Sequence, residues 1–179
     1  QSMSISKIVN NIKINDSGFP PVHLWNPQLC EGQEISIDRE GDWYYNNSPI
    51  KNIKLVKLFS SVLRNDEGLY FLITPHEKVP VSVDLAPYVI TDFDLSDDII
   101  TLHTNLDYSF ALDNKNSTRL INYENTIIPL VHVRNSIEGF FNRATYYKLV
   151  DIALKENIII DNVLHIRSGT NHYPLGTIA

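Results

Sequence analysis

His76, Glu77 and Lys78 stand directly behind Thr74-Pro75, at the end of a short apolar run from Leu69 to Ile73. An imidazole, a carboxylate and an amine at the mouth of a strand can act as a base, an anion contact or an ion pair. A second set lies in the other half of the chain. It comprises Arg134 after an apolar stretch, then Asn142, Arg143, Tyr146 and Tyr147, then Arg167 and Ser168 before Gly169. Arg143 is one helical turn from Tyr146 and Tyr147, so a guanidinium and an aromatic ring can share a face. That pairing suits a phosphate or carboxylate joined to a planar ring. His23 and Trp25 form a third set, in a loop stiffened by Pro20, Pro21 and Pro27. Such a loop either tucks into a groove or meets a ligand. The competing reading has Glu77 or Glu138 neutralising an arginine while the tyrosines fill the core. On the residues alone both readings stand.

Several other chemistries lack their signatures. The glycines are scattered, with no Walker or dinucleotide-binding pattern, so a nucleotide would have to be held by side chains. His76-Glu77 is not followed by a second histidine four residues on, which excludes the zincin helix. His103, His132 and His165 each fall in an expected strand, where alternation with apolar residues favours hydrogen-bonded rings over metal ligands. Cys30 sits beside Glu31, where a thiolate is disfavoured. No G-x-S-x-G elbow exists, and Asp97-Asp98 reads as solvating charge in a loop. Neither a catalytic residue nor a metal or cofactor is expected.

The elements that carry these residues follow from pattern and punctuation. Asp66-Glu67-Gly68 is a turn that releases a buried strand over 69–73, with Thr74-Pro75 stopping its ladder. Helix and strand patterns on both sides place that strand at the centre of a sheet. Ile5, Ile8, Val9 and Ile12 recur at helical spacing over residues 4–14, with Ser4 as N-cap. Glu34–Asp38 and Trp43–Tyr45 read as a hairpin around Gly41. Residues 50–63 read as an amphipathic helix capped by Asn52, with Lys51, Lys54, Lys57 and Arg64 as its wet face. Strand patterns follow at 79–83, 88–92, 99–104, 108–112 and 127–133, with Pro129 marking an edge or bend. Ser136 is placed as the cap of a long helix over 136–155, with Ile137, Phe140 and Phe141 on its buried face. Residues 158–160 and 163–167 close the chain as strands before a Ser168-Gly169 turn.

The order strands, helix, strand, polar turn occurs twice, with 50–78 matched to 136–169. The fold class is therefore α+β: two small similar halves with mainly antiparallel sheets. The divisions are 1–19 (lead-in), 20–95 and 96–179, with the boundary near the acidic stretch 93–98. The 179 residues carry 15 Lys and Arg against 21 Asp and Glu, a net charge of −6. No dense basic run exists, which argues against a nucleic-acid polymer as partner. No apolar run nears the ~20 residues of a membrane span. One cysteine forms no internal disulfide, and no secretion-type leader is visible, so a reducing cytoplasmic setting is expected.

PPVHLWNP (20–27), KLVKLFSSVLR (54–64), GLYFLITPHEKV (68–79), VDLAPYV (83–89), NRATYYKLV (142–150) and RSGTNHYPLG (167–176) together resemble the bacterial domain-of-unknown-function family 1285. The resemblance spans roughly Pro20 to Gly176, with Thr170 where the family pattern has a second glycine. It implies a duplicated α+β fold whose second domain is pleckstrin-homology-like. It also implies a ligand site between the domains for a nucleotide-like anion, in a signalling role. Trp25, Thr74, Glu77, Lys78, Arg134, Asn142, Arg143, Tyr147, Arg167 and Ser168 are then the expected contacts. Two other readings are a protein-interaction module using a sheet edge or the Trp25 loop, and a small-molecule enzyme with Glu77 or His76 as base.

Overall fold

Pairs of residues with positive φ punctuate the chain, and each pair closes a hairpin. In the computed structural model Asn46-Asn47, Glu67-Gly68, Asp97-Asp98, Glu124-Asn125 and Asp161-Asn162 are all of this kind. Two successive positive φ values make the type I′ turn, whose twist matches that of the strands it joins. The structure describes residues 8, 9, 12 and 18–178. The helix expected over 4–14 lies largely outside them, although Ile8 and Ile12 are buried.

Chain contacts divide the protein into two units, Gln1–Pro87 and Tyr88–Ala179. In the first, β1 (Ile35–Ile37), β2 (Trp43–Tyr45) and β3 (Ser48–Pro49) form one meander. After α1 (Ile53–Ser61), β4 (Leu63–Asp66), β5 (Leu69–Ile73) and β6 (Lys78–Val83) form another. They join in the order β3-β2-β1-β6-β5-β4 through a parallel ladder, Ile35↔Val81 to Ile37↔Val83. The strand at 69–73 has the expected bounds, but it is one in from the edge and the β1–β6 pair is central. Accordingly only Leu72 and Ile73 of β5 are buried. The helix is shorter than its pattern. Asn52 caps it by accepting from the Lys54 N–H at 3.0 Å, and Leu63 and Arg64 already belong to β4.

The second unit repeats the path. β7 (Tyr88–Ser96), β8 (Ile99–Thr104) and β9 (Ser109–Ala111) make one meander, and β10 (Thr118–Tyr123), β11 (Thr126–Arg134) and β12 (Ile137–Phe141) make the other. The order is β10-β11-β12-β7-β8-β9, with β12 and β7 parallel from Gly139↔Tyr88 to Phe141↔Ile90. In both units the first strand of the first meander lies parallel to the last strand of the second. The duplication therefore matches β1–β6 with β7–β12, and the counterpart of strand 69–73 is β11. The pairing of 50–78 with 136–169 is corrected accordingly.

Two further expectations change. Residues 93–98 lie inside the β7–β8 hairpin. Ser136 is in the β11–β12 turn, and Ile137, Phe140 and Phe141 are strand residues of β12 rather than a helix face. The i, i+3, i+4 spacing of those three fits a helix, but aromatic residues around Gly139 pair against β7 instead. The helix is α2 (Arg143–Glu156), capped by Asn142, whose side chain accepts from the Thr145 N–H at 2.9 Å. A small sheet follows from β13 (Ile159–Ile160), β14 (Val163–Ser168) and β15 (Asn171–Thr177). Pro129 sits one residue outside the β11–β12 register, where only β10 flanks it, so its missing N–H leaves no gap on that side.

Candidate functional site

Arg64 ties the Trp25 loop to Asp66, which Lys78 also meets. Its Nε and Nη2 donate to the two Asp66 oxygens at 2.8 and 2.9 Å, and its Nη1 donates to the Val22 and Trp25 carbonyls at 2.8 and 2.7 Å. Lys78 Nζ lies 3.4 Å from Asp66 Oδ2 and 4.3 Å from the Phe71 ring centroid. The Arg64 hydrogen bond holds the Asp66 carboxyl below its ordinary value, against the opposing effect of burial, and Lys78 adds to the lowering. Trp25 and Lys78 are thus linked through one carboxylate. Leu24, on the 3-10 turn Val22–Leu24, is 67% exposed, while Trp25 is half-buried. Arg64 is a tether on this turn, and its placement on a solvated helix face does not hold.

Thr74 and Glu77 lock their own turn. The Thr74 hydroxyl donates to Glu77 Oε2 at 2.5 Å and accepts from the Glu77 N–H at 3.1 Å, while the Thr74 N–H donates to the Glu77 carbonyl at 3.0 Å. Glu77 is 4% exposed. A carboxylate so enclosed stops the β5 ladder cleanly, and it has little access to a substrate.

The predicted residues of the second unit fall in three places. Arg134 ends β11 at 7% exposure, with its Nε donating to the Tyr88 hydroxyl at 3.0 Å. Arg134 and the Thr74–Lys78 turn occupy the same station in their units, the link between the last two strands of the second meander. Asn142, Arg143 and Tyr147 gather at the start of α2. The Arg143 guanidinium carbon is 5.8 Å from the Tyr147 ring centroid, both side chains are exposed, and the first helical turn has no acidic residue. Tyr146 turns the other way, donating to the Leu175 carbonyl at 3.1 Å, and burial raises its phenol pKa. Arg167 pairs with Glu156 at 3.0 Å and more loosely with Asp98 at 3.8 Å. Ser168, buried, accepts the Ile100 N–H at 3.0 Å. Of this unit's predicted contacts, Asn142, Arg143 and Tyr147 share one place.

The comparisons with known proteins agree with this two-unit layout. Residues 20–86 match the model of the DUF1285 N-terminal domain and residues 87–175 that of the C-terminal domain, both described as of unknown function. The chain belongs to the DUF1285 family. A crystal structure of a DUF1285 family protein from Silicibacter pomeroyi DSS-3 is 31% identical, with a TM-score of 0.86, over 99% of this chain and 97% of that one. A second, from Shewanella baltica OS155, is 28% identical with a TM-score of 0.54, over 65% of this chain and 90% of that one. The search of curated proteins found no match.

The position where this DUF1285 chain departs from the expected motif is accommodated simply. Gly169 alone takes the positive φ, 62°, of the β14–β15 turn, so Thr170 keeps an ordinary conformation. The strand histidines serve locally. The rings of His103, His132 and His165 bond Asp94 and Ser109, the Asn135 carbonyl, and the Val163 carbonyl, respectively. Among the described residues no three metal-ligating side chains converge.

Sequence reasoning missed the Asp94–His103–Ser109 chain. The expected hairpin of 99–104 with 108–112 offered the signal, since its register sets Ser109 opposite His103. It also missed a shallow hollow of about 410 Å³ lined by Gly32, Gln33, Glu34, Asn46 and Asn47. The two segments close on each other there, with Glu34 N–H donating to Asn46 Oδ1 at 3.0 Å and Asn46 N–H to the Glu34 carbonyl at 2.7 Å.

Proposed function

We propose that this protein senses a nucleotide-like anionic small molecule, bound at the start of α2. The observation that carries this reading is the exposed Arg143–Tyr147 pair on a helical turn free of acidic side chains. A helix N-terminus favours negative charge by about 0.3–1 kcal/mol. A guanidinium can grip phosphate oxygens bidentately, and base stacking on an aromatic ring contributes about 1–3 kcal/mol. Arg143 supplies charge and Tyr147 a stacking face.

A thermal-shift screen of nucleotides, nucleosides and inorganic phosphate tests this. A nucleotide that raises the melting temperature should lose its effect in Arg143→Ala and bind about 5- to 160-fold more weakly in Tyr147→Ala. A stabilising nucleotide indifferent to Arg143→Ala would refute the site, and the absence of any hit would refute the ligand class.

A second reading, a protein-interaction surface, is favoured by Leu24. A large apolar side chain is held out on a turn whose carbonyls Arg64 pins. A stoichiometric partner lost on Leu24→Asp would support it, and binding indifferent to that change would end it.

A further inference from the structure

We propose that Asp94, His103 and Ser109 form an acyl-transfer site, with Ser109 as a nucleophile toward small activated carboxylic esters. His103 Nε2 lies 2.6 Å from Asp94 Oδ2, and His103 Nδ1 lies 2.6 Å from Ser109 Oγ. The carboxylate can only accept, so Nε2 carries the ring proton and Nδ1 is the lone-pair nitrogen facing the serine hydroxyl. That is the order acid, base, hydroxyl which makes serine nucleophilic, here with the two ring nitrogens exchanged relative to the usual triad.

Three strands supply it. Asp94 is opposite Thr101 and Ser109 is opposite His103, so alternation puts all three side chains on the outward face of the β7–β8–β9 meander, while Ile100, Leu102 and Phe110 are buried. The backbone adds a further element. The Thr104 N–H donates to the Tyr108 carbonyl and the Leu112 N–H to the Ile100 carbonyl, so even-numbered residues of this segment face β8. The amides of Ser109 and Ala111 therefore point off the ladder on the last strand of the sheet. The Ser109 N–H lies beside its own Oγ, where a donor can hold the oxyanion of a tetrahedral intermediate.

In the first step the Ser109 Oγ–carbonyl carbon bond forms and the serine proton moves to His103 Nδ1. The ester C–O bond then breaks, and the leaving alcohol takes that proton. Water repeats the sequence on the acyl-serine, releasing the carboxylic acid and restoring the hydroxyl. Asp94 stays ionised throughout and holds Nε2–H. The face is open rather than walled, which limits the site to small acyl groups on good leaving groups.

The test uses the full chain with a fluorophosphonate probe and, separately, p-nitrophenyl acetate. Peptide mapping should place one probe per chain on Ser109, and the acetate should give a burst stoichiometric with protein. Ser109→Ala should abolish both. His103→Gln should slow them by about 100-fold or more, and Asp94→Asn by less, with far-UV circular dichroism unchanged. Ser109→Ala removes only an exposed hydroxyl, so it decides the matter even if His103→Gln fails to fold. Absence of labelling, labelling elsewhere, or a rate unchanged in a folded His103→Gln would overturn the proposal.

Discussion

The sheets of the two units follow one path, yet they seal their parallel ladders by different means. In the first, Ile35 and Ile37 lie against Val81 and Val83, aliphatic against aliphatic. In the second, the station of Val81 is taken by Gly139, which faces Tyr88, and Arg134 bonds the tyrosine hydroxyl. A Cβ at Gly139 would sit 3.0 Å from Tyr88 Cβ and 3.1 Å from its carbonyl oxygen. The second ladder has thus given up a side chain to admit a buried phenol and the guanidinium that meets it. Topology tolerates either filling, so the shared path reflects strand pairing and the polar equipment is added locally.

Gly139→Val breaks the comparison most severely. It sets a branched side chain against the Tyr88 backbone and should cost about 3 kcal/mol or abolish folding of the second unit, read by urea denaturation. Val81→Ala at the matching station only removes buried methyl groups and should cost about 2 kcal/mol. Equal losses at the two stations would mean that the ladders are sealed alike.

Arg64→Met should cost about 2 kcal/mol, because hydrogen bonds to a charged partner are each worth about 1.5–3 kcal/mol and part of this site is exposed. The 22–25 turn should also become a site of limited proteolysis, seen by mass spectrometry. The Asn caps give a matched pair: Asn52→Ala and Asn142→Ala should each cost about 1 kcal/mol. A much larger loss at Asn142 would show that it holds more than its helix.

The smallest effect is acid dependence in the first unit. The Asp66 carboxyl lies below its ordinary value of 3.8 when folded, so its contribution is complete above that value and is lost as pH falls toward the folded one. In Asp66→Asn, stability measured from pH 6 to pH 2 should fall less steeply than in the wild type.

Where the chain announced a turn with glycine, its structure was legible. The hairpin about Gly41 and the release of β5 at Gly68 were both readable, as were the Asn52 cap and the two-half architecture. Where I′ turns are built from Asp97-Asp98, Glu124-Asn125 and Asp161-Asn162, acidic and amide residues occupy conformations usually signalled by Asn-Gly. There the β7–β8 hairpin read as a domain boundary and β10 went unseen. The β12 stretch failed for another reason: three apolar residues at helical spacing cannot distinguish a buried strand from a helix. Polar residue types were visible at every station, but which carboxylate each cation would meet depends on register. Lys78 on β6 finding Asp66 on β4, with β5 between them, is such a case.

Across to residues 98–100, the Ser168 hydroxyl accepts the Ile100 N–H and the Gly169 N–H donates to the Asp98 carbonyl. Tension applied along β15 would therefore be handed to the β7–β8 hairpin at the turn that joins β14 and β15. Under a pulling force the second unit should yield in one step, with the small sheet and the hairpin giving way together.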